Sequence, residues 1–235
     1  MTEPVRVLVL DTATSAVVTG VVELRADGSA RAVAERIVTE QRRHAEVLTT
    51  LMREVLAEAG IAGSDLTAVV VGCGPGPFTG LRVGMATGSA YADALGLPAY
   101  GVGTLDAINL AAPPLDGGTR LILTDARRRE VYWALYAEGE RIAGPDVQAP
   151  DNLVEQFGEQ PPAELLAEPR FAERFGFAGT ESVAPTAASL AAAAAERVLT
   201  SAPNEMLTPL YLRRPDAVEL KDQKRKSLLP PVADA

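Results

Sequence analysis

A pattern of an apolar strand followed by an aspartate occurs twice in this 235-residue chain, and it restricts the fold more than any other feature of the sequence. Residues 5–10 form a continuous apolar run with many β-branched side chains, which ends at Asp11, and residues 120–126 form a second run that carries Asp125 near its end. Short apolar runs of this composition predict buried strands. A turn and a further strand are expected after each aspartate, so the sequence indicates one structural unit that is used in two lobes.

The periodicity of the rest of the chain predicts an α/β protein in which mixed sheets are flanked by helices. In the first lobe, strands are expected at 16–24, 30–38, 67–72 and 99–103, and helices at 43–59, 79–95 and 104–111, with Thr79 and Thr104 as N-terminal caps. In the second lobe, strands are expected at 120–126 and 130–137, only short elements between 145 and 185, a helix at 186–199 and a last strand at 207–213. The proline and glycine pairs at 113–114 and 117–118 divide the chain into lobes 1–112 and 118–214, followed by a loose tail at 215–235.

The charge balance argues against a protein that grips nucleic acid alone. The chain has 22 basic and 31 acidic residues and a net charge of −9, whereas phosphate backbones are held by cationic side chains. All three lysines lie at 221–226, in the sequence KDQKRK. A solvated tail is the simpler interpretation of this segment, and a contact with RNA or with an acidic partner is the alternative.

Scarce residues exclude several kinds of site. His44 and Cys73 are the only histidine and cysteine, so an intrachain disulfide, a zinc site with several His or Cys ligands, and a Ser-His-Asp triad without His44 are all excluded. No apolar run approaches the length of about 18 residues that a transmembrane helix needs. The N-terminal segment also lacks the basic and apolar regions of a signal peptide. We therefore expect a soluble cytoplasmic protein that is not inserted in a membrane.

A loop rich in glycine and proline, with the sequence GCGPGPFTG at 72–80, connects a predicted strand to a predicted helix. Phosphate-binding loops occur at such places, but this loop has no Walker lysine and no GxGxxG spacing, and Pro75 and Pro77 cannot donate backbone hydrogen bonds. We interpret it as a rigid turn that brings the helix close to the sheet, with contact to a ligand or partner as the alternative. Its structural residues are Gly74, Pro75, Gly76, Phe78, Thr79 and Gly80.

The helix after this loop carries Gly84, Gly88 and Ala92 at a spacing of four residues. Glycine inside a helix costs about 1 kcal/mol relative to alanine, so the stripe indicates close approach of another helix, either from the same chain or from a partner subunit. With the preceding amphipathic helix it is predicted to form half of a four-helix bundle, and core packing is the alternative for the apolar residues. The predicted partner interface comprises His44, Glu46, Leu48, Met52, Val55, Arg82, Gly84, Met85, Gly88, Tyr91 and Ala92.

Polar side chains after the first strand form a candidate phosphate loop. Asp11, Thr12 and Ser15 are similar to the first phosphate loop of actin-like ATPases, in which an aspartate holds Mg²⁺ through water. The simpler interpretation is a turn whose side chains bond to backbone N–H groups. Asp125 is the counterpart in the second lobe, but the arginines at 127–129 follow it instead of glycines, which indicates a solvated or partner-facing turn, with an anion site as the alternative. We treat the four residues as vestigial and predict no catalytic residue, no metal site and no cofactor bound by this chain.

Four segments of the sequence resemble the bacterial TsaB (YeaZ) family. They are LVLDTATS at 8–15, RRHAEVL at 42–48, GPGPFTGLRVG at 74–84 and TDARRREVY at 124–132. A fifth segment, PLYLR at 209–213, is similar to the C-terminal strand of that family. The third segment is the most specific. Ala45 and Pro77 stand where family members commonly have serine, which weakens any hydrogen bonding expected at those two points.

The resemblance implies an actin-like fold of two ribonuclease-H-like lobes, the second of them reduced. It also implies a non-catalytic subunit that pairs with its larger relative TsaD and works with the ATPase TsaE, in a complex that uses ATP and Mg²⁺. That complex transfers a threonylcarbamoyl group to N6 of the adenosine next to the anticodon of certain tRNAs. In the family the two predicted helices form the dimer interface, with TsaD or with a second copy, and tRNA is contacted only through the complex.

Two other functions stay open at this point. Asp11, Thr12 and Asp125 also fit an ATP-dependent kinase or hydrolase of the actin-like class. A metallopeptidase is the third hypothesis, because the family is grouped with the M22 glycoproteases. Metal-bearing relatives use paired histidines, however, and this chain has only one histidine.

Overall fold

The computed structural model describes residues 5–39, 44–180 and 183–213, which form two β-sheets flanked by helices. The first sheet contains β1 (Val5–Asp11), β2 (Ala16–Leu24), β3 (Ala30–Thr39), β4 (Ala68–Gly72) and β5 (Ala99–Val102). The second sheet contains β6 (Thr119–Asp125), β7 (Val131–Ala137), β8 (Glu140–Gln148) and β9 (Glu164–Leu166). The helices are α1 (His44–Ala59), α2 (Phe78–Leu95), α3 (Thr104–Ala111), α4 (Pro150–Phe157), α5 (Pro169–Ala172), α6 (Ala187–Ala193) and α7 (Ala195–Leu199).

Both sheets are built on the same plan around a central strand. The strand order is β3-β2-β1-β4-β5 in the first sheet and β8-β7-β6-β9 in the second. The central strands β1 and β6 each pair with an antiparallel strand on one side and with a parallel strand on the other. The repeated strand–aspartate pattern therefore corresponds to a repeated topology, and the predicted α/β class with mixed sheets is confirmed.

Helices cover both faces of the first sheet, which explains why its central strands read as continuous apolar runs. Successive side chains of a strand point to opposite faces. Leu8 and Leu10 accordingly pack in one buried cluster with α1 and α2, whereas Val7 and Val9 pack in another with α6 and α7. The face that carries α1 and α2 is also the one on which the sequence placed its partner interface.

The last two helices pack on the first sheet, although they follow the second sheet in sequence. Helix α6 rests on β1, β2 and β3, and the N–H group of Ala187 donates to Glu35 Oε1 at 2.6 Å. The predicted second lobe, 118–214, is therefore corrected for residues 187–199, because their apolar side chains are buried in the core of the first lobe. The predicted single helix 186–199 is also interrupted at Ala194, a break for which the alanine-rich sequence carries no local signal.

Other elements differ from the predictions for local reasons. Residues 207–213 form no strand, and their irregular course is held by the N–H group of Leu210, which donates to the carbonyl of Cys73 at 2.9 Å. Strand β8 gives no strand signal in the sequence because it is a largely exposed edge strand. Thr79 and Thr104 are not N-terminal caps, since α2 begins at Phe78 and α3 begins at Thr104 itself. The predicted tail at 215–235 lies outside the described residues.

Two side chains cover the outer edge of β5. The Oδ1 atom of Asn204 accepts a hydrogen bond from the N–H group of Ala99 at 3.0 Å, and Arg197 Nη2 donates to the carbonyl of Gly101 at 2.8 Å. These two backbone groups point away from β4, the strand that pairs with β5 on its inner side. Two of the backbone positions that an additional strand would use on this edge are therefore occupied by side chains.

Candidate functional site

The aspartate at the end of β1 is fully buried and bonded within the chain. Asp11 Oδ1 accepts a hydrogen bond from the N–H group of Ala13 at 2.8 Å, and Oδ2 accepts one from Thr104 Oγ1 at 2.7 Å. The same Thr104 hydroxyl accepts from the N–H group of Gly74 at 3.2 Å. Burial raises the pKa of Asp11 from 3.8 to about 6, and the hydrogen bonds from Thr104 and Ala13 oppose part of that rise.

The loop at 72–80 packs against the turn between β1 and β2 and leaves no room for a ligand at Asp11. A Cβ atom added at Gly72 would overlap Asp11 Oδ2, and one added at Gly76 would overlap the carbonyl of Ala13. A hydrated Mg²⁺ ion with its nucleotide needs the space that this loop fills. The residues at this strand end therefore do not fit the Mg²⁺ nucleotide of the actin-like ATPases.

The other residues of the candidate phosphate loop also serve the fold. Thr12 Oγ1 donates to the carbonyl of Gly80 at 2.7 Å, and a Cβ atom at Gly84 would overlap the same hydroxyl. Thr12 thereby fixes the first turns of α2 against the sheet. Ser15 is half-buried. These contacts agree with the simpler interpretation of the sequence, in which the side chains satisfy a turn.

Asp125 occupies the matching position at the end of β6 but has different neighbours. Its Oδ1 atom accepts from the N–H group of Arg127 at 2.9 Å, and its Oδ2 atom lies 3.5 Å from Arg127 Nη1 and 3.2 Å from Arg170 Nη2. Three successive arginines, residues 127–129, have φ angles of 64°, 52° and 65°, a region that residues other than glycine rarely adopt. The turn after Asp125 is thus tight and rich in arginine.

The loop at 72–80 also joins the two lobes. The hydroxyl of Tyr132, on β7, donates to the carbonyl of Gly76 at 3.2 Å. The ring of Phe78 stacks on that of Tyr211 at 5.1 Å between centroids, and the guanidinium of Arg82 lies 3.8 Å from the Phe78 centroid. The loop is therefore held by both lobes and by the irregular segment 207–213.

The glycine stripe of α2 faces the protein's own sheet. Gly84, Gly88 and Ala92 are buried, and a Cβ atom at Gly88 would lie 2.5 Å from Val71 Cγ2 on β4. The prediction of close approach is correct, but the surface that approaches is the sheet and not a second helix. The prediction of Gly84 and Gly88 as interface residues is therefore corrected, because both face the interior, and Ala92 is buried as well but borders the groove beside α2. Leu48, Met52 and Val55 are likewise buried in the core.

The surface of α2 that remains open is formed by different residues. Arg82, Ala86, Ser89, Ala90 and Asp93 are exposed, while Met85 and Tyr91 are half-buried. A groove of about 1040 Å³ runs between this side of α2 and residues 204–207, and Met206 stands on its rim with 92% of its surface exposed. We call the exposed residues Ala86, Ser89 and Ala90, together with Met85, the outer face of α2. Glu46 is exposed on α1, and the side chain of His44 lies outside the described part.

Three residues of this region were not predicted as site residues from the sequence. Thr104 contacts Asp11, Tyr132 contacts the glycine loop, and Tyr211 stacks on Phe78. Tyr132 and Tyr211 do lie in segments that resemble the family, 124–132 and 209–213, but no local pattern indicates any of the three contacts.

The described part of the chain has neither a cluster of metal ligands nor a helix suited to span a membrane. Among residues 5–39, 44–180 and 183–213, no group of three or more His, Cys, Asp or Glu side chains could hold a metal ion together. In the same part of the chain, no helix has both the length and the apolar character needed to cross a membrane.

Comparisons with known proteins agree with the fold and with the resemblance. A family model described as TsaD, tRNA N6-adenosine threonylcarbamoyltransferase, matches residues 32–221. An uncharacterized protein of Mycobacterium leprae is 47% identical over 214 residues, which make up 90% of this chain and 55% of that protein. The Escherichia coli tRNA threonylcarbamoyladenosine biosynthesis protein TsaB is 36% identical over 136 residues, which make up 57% of this chain and 56% of that protein. The matches thus span about half the length of these two relatives.

The crystal structure of YeaZ from Pseudomonas aeruginosa is 27% identical to this chain, with a TM-score of 0.66, and the match covers 88% of this chain and all of that one. This likeness confirms the predicted actin-like fold class. The match to the family model covers most of the sequence. The similarity to the E. coli relative and to the solved structure agrees with it. The chain therefore belongs to the family that the TsaD model describes, and within that family it is a TsaB-like protein.

Proposed function

We propose that this TsaB-like chain takes part in the biosynthesis of threonylcarbamoyladenosine in tRNA as a non-catalytic subunit that pairs with a TsaD-type transferase. Family membership supports the role in this biosynthesis, because the family model is named for the transferase and the E. coli relative for the pathway. TsaE as a further partner and the use of ATP and Mg²⁺ by the complex belong to the same proposal.

One observation carries the non-catalytic part of the proposal. The aspartate that an actin-like ATPase would use for its Mg²⁺ nucleotide is buried, and both of its oxygens accept hydrogen bonds from Ala13 and Thr104. The covering loop is fixed by Gly72 and Gly76, whose backbones pack directly on Asp11 and Ala13. Opening this site would require the loop, α2 and α3 to separate.

The outer face of α2 supports the pairing part of the proposal. Ala86, Ser89 and Ala90 are small and exposed, and small side chains let another helix approach closely. Met85 and the exposed Met206 add flexible apolar contacts beside them. The family model is that of the transferase itself, so a TsaD-type partner of similar fold would offer a comparable helix.

Pairing is tested with a charged substitution in the outer face of α2. Ala90→Arg places a long cation in the middle of the face without entering the core, because Ala90 is exposed. We expect affinity for the TsaD-type protein of the same organism to fall by about tenfold or more, measured by co-purification and titration calorimetry. Asn152→Arg, on the exposed side of α4, is the matched control and should leave affinity unchanged.

A well-folded Ala90→Arg protein that pairs as tightly as the wild type would overturn the assignment of this face. Sedimentation of the same two variants without partner tests whether a second copy uses the same face. The non-catalytic assignment is tested separately with Mg-ATP and the isolated chain, for which we expect no turnover. Sustained hydrolysis by pure protein would favour the ATPase alternative.

A further inference from the structure

A second cavity lies between the lobes, away from Asp11. It has a volume of about 370 Å³ and is enclosed by residues 76–78 of the glycine loop, by residues 126–128 of the turn after β6, by Tyr132 and by residues 211–213. Cavities of this size are typical of sites for small ligands. None of the residues at 11–15 lines it, so the closure of the Asp11 site does not close this cavity.

The lining of this cavity is strongly cationic in an otherwise acidic protein. Arg127, Arg128 and Arg213 line it, and no Asp or Glu is among its described lining residues. Asp125 pairs with Arg127 and Glu130 pairs with Arg213 from positions outside the lining. Since the whole chain has a net charge of −9, this concentration of arginine sets the cavity apart from the rest of the surface. Arginine is the side chain best suited to bind phosphate oxygens.

The remaining walls of the cavity are largely apolar. Pro77, Phe78, Tyr132, Tyr211 and Leu212 form them, and the rings of Phe78 and Tyr211 are stacked and each 41% exposed. Aromatic surfaces beside arginine are the combination on which proteins hold nucleobases next to their phosphates.

An unpartnered polar group lies beside the same cavity. The Thr124 hydroxyl is buried and has no hydrogen-bond partner in the described part of the chain. Thr124 is directly opposite Tyr132 in the β6–β7 pairing and two residues before Ala126, so it shares a sheet face with two residues that line the cavity. Buried hydroxyl groups are normally bonded, but Thr124 is not itself a lining residue, so a ligand in the cavity would contact Tyr132 and Ala126 and not this hydroxyl.

We propose that this arginine-lined cavity binds a nucleotide unit, with its phosphate against Arg127, Arg128 and Arg213 and its base along the wall formed by Tyr132, Tyr211 and Leu212. Two kinds of molecule carry a nucleotide unit of this chemistry, a free nucleoside phosphate and an RNA. Binding here does not depend on pairing with a TsaD-type protein, so the proposal stands apart from the proposed function.

The test measures ligand binding by the full chain alone. AMP, ATP and a tRNA anticodon stem-loop RNA are titrated separately, in low and in moderate salt, and we expect at least one of them to bind. Arg127→Gln removes one cavity charge and should weaken binding by about tenfold or more. Arg174→Gln is the matched control, because Arg174 is also exposed and paired with an aspartate, Asp151, and its variant should bind as the wild type does.

A second variant tests whether the ligand occupies the cavity itself, because it fills the cavity without changing its charge. Leu212→Trp fills the cavity from its apolar wall, and we expect it to abolish binding while Arg127→Gln only weakens it. Binding of AMP or ATP that both variants reduce identifies a free nucleotide as the source, whereas binding of the RNA alone identifies a nucleotide within RNA. No binding of any of the three probes, or binding that neither variant changes, would overturn the proposal. Because partner affinity is measured with Ala90→Arg, failure of one proposal is distinguishable from failure of the other.

Discussion

The ends of the two central strands, at Asp11 and at Asp125, show how one sequence pattern gives two environments. Both aspartates follow an apolar strand with an antiparallel neighbour on one side and a parallel one on the other. Asp11 is fully buried under a glycine loop and bonded to a hydroxyl and a backbone N–H group. Asp125 is half-buried and paired with two arginines.

The difference comes from what covers each strand end and not from the strands themselves. Glycines at 72 and 76 let a loop lie directly on the β1–β2 turn, so the first strand end is dry and filled. Arginines at 127–129 replace such a loop after β6, and the second strand end stays polar and open to a cavity. A family resemblance at an aspartate therefore does not by itself assign the chemistry of the site.

The largest effect is expected from placing a methyl group in the closed strand end. Gly72→Ala would force a Cβ atom into Asp11 Oδ2, and we expect the free energy of unfolding to fall by about 3 kcal/mol or more. Urea unfolding followed by circular dichroism measures this. Gly158→Ala is the control, because Gly158 has helical φ and ψ of −59° and −35° and an added Cβ atom would lie no closer than 3.0 Å to another atom, the carbonyl oxygen of Val154. It should change stability by no more than about 1 kcal/mol in either direction. Equal stability of both variants would show that the strand end is not tightly filled.

The second prediction concerns the pH dependence of stability, to which Asp11 should contribute more than Asp125. The folded-state pKa of Asp11 is raised to about 6 from 3.8. The stability that the protonated carboxyl contributes is therefore fully present below pH 3.8 and is lost as the pH rises through about 6. Stability of the wild type relative to Asp11→Asn should therefore fall by about 3 kcal/mol between about pH 4 and pH 7. Denaturant unfolding of both proteins across this range gives the difference profile.

Asp125→Asn is the control for this measurement. Its ion pairs with Arg127 and Arg170 are partly exposed, so the loss at neutral pH should stay below about 1 kcal/mol. Parallel pH profiles of the wild type and Asp11→Asn would contradict the assignment of a buried carboxylate with a raised pKa.

A smaller effect is expected from the hydroxyl that holds Asp11. Thr104→Val keeps the shape of the side chain but leaves Asp11 Oδ2 and the Gly74 N–H group without their partner, which should cost about 2 kcal/mol at neutral pH. The hydrogen bond from Thr104 lowers the pKa of Asp11, so the pH dependence should also move to higher pH. Thr104→Ser retains the hydroxyl and should keep the wild-type pH profile. If the pH profile of stability were identical for Thr104→Val and Thr104→Ser, the Thr104 hydroxyl would not lower the pKa of Asp11.

The sequence predicts those parts of the fold that depend on local patterns. Runs such as 5–10 and 120–126 carry a strand signal of their own, and Gly96 ends α2 in the left-handed conformation that a glycine at this place favours. The contact between Thr104 and Asp11 joins residues 93 positions apart, and no local pattern encodes it. The glycine stripe predicts a close approach correctly, but only the folded chain shows that the approaching surface is the sheet. The return of α6 and α7 to the first lobe is missed for the same reason.

The side chains on the outer edge of β5 determine how this protein can assemble. Unprotected edges allow sheets of neighbouring molecules to merge into a continuous one, which is a common route to aggregation. Asn204 and Arg197 occupy two of the outward backbone groups of that strand, so these side chains hinder growth of the first sheet on this side. A companion molecule approaching this part of the surface therefore meets side chains first, and it would have to displace them to extend the sheet.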